Sequence, residues 1–179
     1  AERSLMRAGV HCFASPTRAA ALAHPKNWFG WMLAGEALYR ALEGRCVRFD
    51  GRIEPPAKPF MFETFPQAVA VALAGRNVSA RDKARVRRQV LAGAGIDPAP
   101  LANIDFIDAA LCALAAQHAL SGSVRVHGEA ASGVIVVPLG ATRIEPARIR
   151  AYRAARYGVA AEGGQRAFTL RVDCASDDL

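Results

Sequence analysis

The stretch Asn103-Ile-Asp-Phe-Ile-Asp-Ala-Ala-Leu-Cys-Ala-Leu-Ala-Ala-Gln-His118 decides how the rest of the chain is read. Ala and Leu dominate it, and neither Gly nor Pro interrupts it between Ile104 and Leu120, which predicts a helix. Ile107, Ala110, Leu111 and Leu114 recur at helical spacing. Ala109, Cys112, Ala113 and Ala116 leave the other faces nearly apolar too, which is the pattern of a buried helix. Yet the first turn carries Asp105 and Asp108. Three residues apart, they share a face, with Cβ atoms roughly 5–6 Å from one another. One reading is helix capping, since an acid in a first turn interacts favourably with the macrodipole by about 0.3–1 kcal/mol. It suits Asp105 better than Asp108, which sits beside Ala109 and Leu111, where an unpaired ionised acid costs several kcal/mol. The other reading is that the pair meets a divalent cation, which offsets the like-charge repulsion.

Upstream of this helix the chain alternates short elements with breakers. Ala1 to Gly9 reads as a helix already under way and closed by Gly9, and Val10-His-Cys-Phe-Ala14 as a short strand. Ser15 or Thr17 can cap a short helix over Arg18–Ala23, ended by His24-Pro25. Asn27 to Leu42 predicts an amphipathic helix whose Trp28, Trp31, Met32, Leu38 and Leu42 stripe is read as core; His11 and His24 are read as structural or surface residues. Arg45 to Asp50 alternates as a strand, and Gly51 to Pro59, with three prolines, is a loop and the most mobile segment expected.

Phe60-Met-Phe-Glu-Thr-Phe-Pro66 predicts a buried strand with Glu63 near its end and a helix opened by Pro66 at its first position. A carboxylate at the carboxyl end of a buried strand is where open α/β sheets place their sites, and equally a place for a satisfied polar residue at a strand edge. Gln67–Ala74 is a short apolar helix ended by Gly75. Ser79 then caps a helix, with Asp82 in its first turn, whose outer face carries Arg81, Lys83, Arg85, Arg87 and Arg88. Such a face is either simply solvated or a phosphate contact. After the acid-bearing helix come a loop with Gly128 and Gly133 and the strand Gly133-Val-Ile-Val-Val-Pro138. Past Gly140 the sequence predicts a basic helix over Glu145–Tyr157, a Gly163-Gly164 turn, a strand over Ala167–Val172 and an acidic tail from Asp173. Residues 1–140 are thus expected to form one domain and 141–179 an extension of unassigned role.

At 179 residues and 52% hydrophobic, the chain can build a sizeable core and is not a disordered segment. No apolar run reaches membrane-spanning length without a charge or breaker, and no secretory signal opens the chain. Cys12, Cys46, Cys112 and Cys174 make no C-x-x-C pair, which argues against a finger-type metal site and for a reducing cytoplasm; Cys112 reads as a small core residue. The net charge of +7 points to a polyanionic partner, nucleic acid first, though Arg-rich composition alone can produce it.

Glu63, Asp105 and Asp108 are the acids that stand out. Sets of hard oxygen ligands hold Mg²⁺ or Mn²⁺, and two such ions about 3.5–4 Å apart support phosphodiester hydrolysis. No Gly-rich phosphate loop, H-E-x-x-H or G-x-S-x-G motif points to another common chemistry. Glu63-Thr-Phe-Pro66, the basic helix with Lys83 and Arg87, Asp105-x-x-Asp108-Ala109 and Gly133-Val-Ile-Val-Val-Pro138, in that order, resemble the domain-of-unknown-function family 429, a family of predicted nucleases of ribonuclease H-like fold. Glu2-Arg3-x-Leu5, Gly9, Pro16 and Trp31 to Leu42 resemble the middle of that family, and Asp105-x-x-Asp108-Ala109 is also similar to Holliday-junction resolvases of the same fold. The resemblance spans roughly residues 1–139. It implies an α/β fold, a mixed sheet flanked by helices. It also implies a metal-dependent nuclease in which Glu63, Asp105 and Asp108 are the later acids of the site and Lys83 and Arg87 face phosphate. Such sites begin with an Asp on a first strand, in a Gly-Ile-Asp context, and that strand has no counterpart here. The expectation is therefore a domain truncated at its N-terminal side, either a nuclease with Mg²⁺ or Mn²⁺ or a non-catalytic nucleic-acid-binding module of the same fold. An enzyme acting on a small phosphorylated substrate is a third reading.

Overall fold

In the computed structural model, which describes residues 1–51 and 58–140, the Ala-rich stretch is a helix over Ile104–Leu120. Asn103 starts it: its side-chain oxygen accepts from the backbone N–H groups of Asp105 and Phe106, each at 3.0 Å, so two otherwise unpaired donors of the first turn are satisfied. This is the last of six helices among the described residues: α1 (Glu2–Arg7), α2 (Arg18–Leu22), α3 (Gly30–Leu42), α4 (Pro66–Ala74), α5 (Lys83–Gly93) and α6 (Ile104–Leu120). The strands are β1 (Val47–Arg48), β2 (Phe60–Met61), β3 (Val124–Glu129) and β4 (Gly133–Pro138).

The content is mixed α/β. β1 and β2 pair in parallel, Val47 opposite Phe60, and β3 and β4 pair antiparallel, Val124 opposite Pro138. A parallel bridge between Glu63 and Ile135 joins the two ribbons. There the Val136 N–H donates to the Glu63 carbonyl at 2.9 Å and the Thr64 hydroxyl donates to the Val136 carbonyl at 2.7 Å. Phe49, Phe60 and Phe62 stack along the β1–β2 side, with ring centroids 5.1 to 6.1 Å apart.

α4 is apolar on nearly every face, and the fold explains why. Val69, Ala70 and Leu73 pack on Leu91 of α5 and on Ile107, Leu111, Leu114 and Ala115 of α6. Ala68 packs the other way, with Leu5, Val10, Ile135 and Val137. The opposite face of β4 buries Val136 against Phe49 and Ala119. Pro66 opens α4 at its first position, and Gly75 closes it in the left-handed region at φ 64°.

Four local expectations are corrected. Residues 10–14 form no strand: the Val10 N–H closes the end of α1 on the Leu5 carbonyl at 3.0 Å, and Val10 is buried. α3 starts at Gly30, because Asn27 sits at φ 48°, outside the helical region. α5 starts at Lys83: the Ser79 hydroxyl accepts from the Arg81 N–H at 3.1 Å in a local turn and does not cap the helix. The segment before β4 is the strand β3, not a loop. Its Gly128 does not break the ladder; at φ 105° it brings the backbone so close to the partner strand that a Cβ there would lie 2.4 Å from the Gly133 carbonyl oxygen.

The aromatic stripe expected over residues 27–42 is not core. Trp28, Trp31 and Leu38 are 65%, 68% and 59% exposed, and no residue of α3 is buried. Among the described residues α3 packs chiefly on α2. Trp28 finds local partners instead, stacked on His24 at 5.1 Å between ring centroids. α2 itself is capped as read, the Thr17 hydroxyl accepting from the Ala20 N–H at 3.2 Å. The loop tip at residues 52–57 and everything read past Gly140 lie outside the described residues. No helix among the described residues is long and apolar enough to cross a membrane.

Candidate functional site

Asp108 does not stand unpaired in its apolar setting. Its Oδ1 is ion-paired with Nη1 of Arg87, which is buried to 6% exposure. Nη2 of Arg87 donates to Gln67 Oε1 at 3.1 Å, and Gln67 Nε2 donates to the Val78 carbonyl at 2.8 Å. One chain of polar contacts thus ties α4, α5 and α6 together through the interior. The Arg87 Nε–H is buried with no partner among the described residues. This corrects the reading of Arg87 as part of an outer basic face: Arg87 lies one helical turn before Leu91, which is fully buried, so both point inward. Cys112, one turn beyond Asp108, is half-buried; burial, and next the Asp108 charge, push its thiol above the usual range.

The remaining basic residues of α5 divide as well. Arg88 donates to the carbonyls of Pro98 and Leu101, at 2.7 and 2.6 Å, and so holds the loop that leads into α6. Arg85 is ion-paired with Asp82. Lys83 and Arg81 are exposed at the start of the helix and make no ion pair among the described residues.

Asp105 is exposed in the first turn of α6; the cap itself is Asn103. Glu63 follows β2 at the bridge to β4. Its outer edge is open, but surrounding protein strips water from its carboxyl and raises the pKa, and the Glu2 carboxylate raises it further. Burial, and next the Glu63 charge, push up the phenol of Tyr39. Glu2, in the first turn of α1, has its own pKa lowered, first by the Ser15 side chain; the Ser15 N–H also donates to its Oε1 at 3.3 Å. The Ala1 ammonium lies 3.6 Å from Glu2 Oε2.

The five residues singled out in the sequence therefore fall into separate settings. Arg87 and Asp108 meet each other, Glu63 lies at the bridge to β4 with its pKa raised by burial and the Glu2 charge, and Asp105 and Lys83 are exposed. No group of three or more His, Cys, Asp or Glu side chains suited to a metal comes together among the described residues. Phe62, next to Glu63, and Ile104, next to Asp105, do pack against the same core cluster.

Two buried histidines escaped the sequence reading. His127, on β3, is 7% exposed, with Nδ1 3.1 Å from the Ser4 hydroxyl; His118, on α6, is 3% exposed and its Nδ1 has no partner among the described residues. Recognising β3 would have exposed the first, since Arg125 and His127 then share a face. Burial lowers both pKa values from 6.5. The unfolded chain therefore binds more protons below that value, and the stability tied to the neutral rings is lost as pH falls through it. Urea midpoints are expected to drop between pH 7.5 and 6.0, and His118→Leu should flatten that drop. The raised pKa of Glu63 acts with the opposite sign, its stabilisation present below 4.5 and lost as pH rises through the folded value. An unchanged midpoint across this window would contradict the assignment of buried neutral rings.

No curated protein and no solved structure matches the chain. The family model described as "Protein of unknown function (DUF429)" matches residues 1–132, most of the chain and all of its acids at issue here, and the chain belongs to that family.

Proposed function

We propose that this chain carries part of a metal-dependent phosphodiester-hydrolysing site on a ribonuclease H-like framework, with nucleic acid as the substrate class. The observation that carries the reading is Glu63 at the bridge between β2 and β4, a carboxylate whose pKa is raised first by burial and next by the Glu2 charge. Mixed strand pairing flanked by helices supports the framework. Glu63 and Asp105 have carboxylates free of base partners among the described residues, and Asp108 has one oxygen left by Arg87; these are the hard donors that would hold Mg²⁺ or Mn²⁺. Such an ion, when bound, supplies an activated water and stabilisation of the leaving oxygen. Lys83 positions phosphate, while Arg87 holds Asp108 and is withdrawn from that role.

A second reading, a nucleic-acid-binding module without catalysis, is favoured by the ion pair that already satisfies Asp108. Calorimetric titration with MnCl₂, beside hydrolysis assays on single- and double-stranded DNA and RNA, separates them. The first reading expects Glu63→Gln and Asp105→Asn each to weaken Mn²⁺ binding at least tenfold and to abolish hydrolysis. Glu63→Gln removes a charge that burial and the Glu2 charge disfavour, so it does not threaten the fold. Nucleic-acid affinity that falls with salt, drops in Lys83→Gln, and ignores both acid variants would establish the second reading. Absence of Mn²⁺ binding to the unaltered chain would end the first.

A further inference from the structure

Antiparallel register sets Arg125 opposite Val137 and His127 opposite Ile135 on one side of the ribbon, while Val126 packs on the other side with Phe49 and Val136. Over the Arg125–His127 side lies a groove of about 390 Å³ between α1 and α4. Leu5, Val10, Ala68, Val71 and Val137 give it an apolar floor. Arg76, Asn77, Arg125 and His127 give it a polar rim, and no acidic residue among the described ones lines it.

The rim is a mixture of built and free groups. His127, which lines the groove, is more than nine-tenths buried, and its Nδ1 lies 3.1 Å from the Ser4 hydroxyl. Arg76 and Arg125 are exposed and, among the described residues, hold no carboxylate, unlike Arg18, Arg40, Arg48, Arg85 and Arg87. Gly75 ends α4 at the same rim, and the partial negative charge there, about half an elementary charge, is outweighed by two guanidinium groups. The volume falls in the range of small-molecule sites, about 300–1,000 Å³. An apolar floor under a rim whose only charges are two guanidinium groups among the described residues selects a ligand that is apolar at one end and anionic at the other.

We propose that this groove binds a small amphiphilic oxyanion, a phosphate or carboxylate head on an apolar body, with Arg76, Arg125 and His127 meeting the head. The groove contains none of Glu63, Asp105 or Asp108, so this stands apart from the metal reading. Guanidinium groups bind either oxyanion bidentately, and each methylene seated on the floor adds about fourfold in affinity.

Calorimetry with octyl phosphate, octanoate, octanol and inorganic phosphate, all below micelle-forming concentrations, tests it. One or both amphiphilic anions should bind saturably at one site, and octanol and inorganic phosphate at least tenfold more weakly. The tighter of octyl phosphate and octanoate identifies the head. Arg76→Glu and Arg125→Glu, both at exposed positions, should each cost at least tenfold. The proposal is overturned if neither anion binds saturably, if octanol binds as tightly as the anions, or if both charge reversals leave binding unchanged.

Discussion

Replacing Asp108 by alanine is expected to lower the unfolding free energy by about 3–5 kcal/mol, the range for breaking a buried ion pair from one side. The reason lies in the partner. Arg87 is 6% exposed and its Nε–H already lacks an acceptor among the described residues, so without Asp108 a full charge stays buried with only Gln67 to meet it. The reverse change costs less. Asp108 has 26% of its side chain exposed, so in Arg87→Met its carboxylate can take water, and the loss should be about 1–3 kcal/mol, from the unmet polar groups. The double variant Arg87→Met with Asp108→Leu replaces both charges by apolar groups and should recover more than half of the single Asp108 loss. Urea midpoints at unchanged slope give the three values. Simple additivity would mean that Arg87 and Asp108 do not act as a unit. The consequence for function is practical. A metal effect that vanishes in an Asp108 variant has two explanations, a lost ligand or a loosened interior, and for that reason Glu63 and Asp105 are the informative positions.

Where local chemistry decides an element, the sequence was enough. α6 has an Asn cap, an unbroken apolar body and Gly122 just past its end; α4 has Pro66 in front and Gly75 behind; α2 has Thr17. β4 announces itself as an apolar run. β3 did not, because its Arg125, His127 and Gly128 read as loop residues until β4 lies beside them, and that pairing is not a local property. Periodicity showed that α3 has an apolar stripe, but not what covers it, and Trp28 and Trp31 are exposed. The acids were visible as acids; their partners were not. Two residues adjacent on one helix, Arg87 and Arg88, both turn inward to different acceptors, one a carboxylate on α6 and the others carbonyls of the preceding loop. The clue in the sequence was Leu91: a residue four before a core leucine shares its face, whatever its charge. Membership of the family rests on residues spread from α1 to the β3–β4 turn, so it was legible as an order of motifs and not at any single position.

The second large effect is expected at Leu111. It is fully buried at the centre of α6, where Val69, Ala70 and Leu73 of α4 and Leu91 of α5 converge. Leu111→Ala removes three carbons from a contact among three helices joined by short connections. Cavity and transfer terms together put the loss at about 2–5 kcal/mol. The upper half of that range is expected, because the neighbours that would have to close the gap are themselves held: α5 is anchored by Arg87 to α4 and α6 and by Arg88 to the loop before α6. Phe106, on the same helix, is the control. It is larger, yet 57% exposed, and Phe106→Ala should stay within about 0.5 kcal/mol. A two-state urea or thermal unfolding series on both variants decides the matter. If Leu111→Ala costs no more than Phe106→Ala, α6 is not the element on which the three-helix core is built, and the placement of Asp105 and Asp108 at its head loses its rigid support.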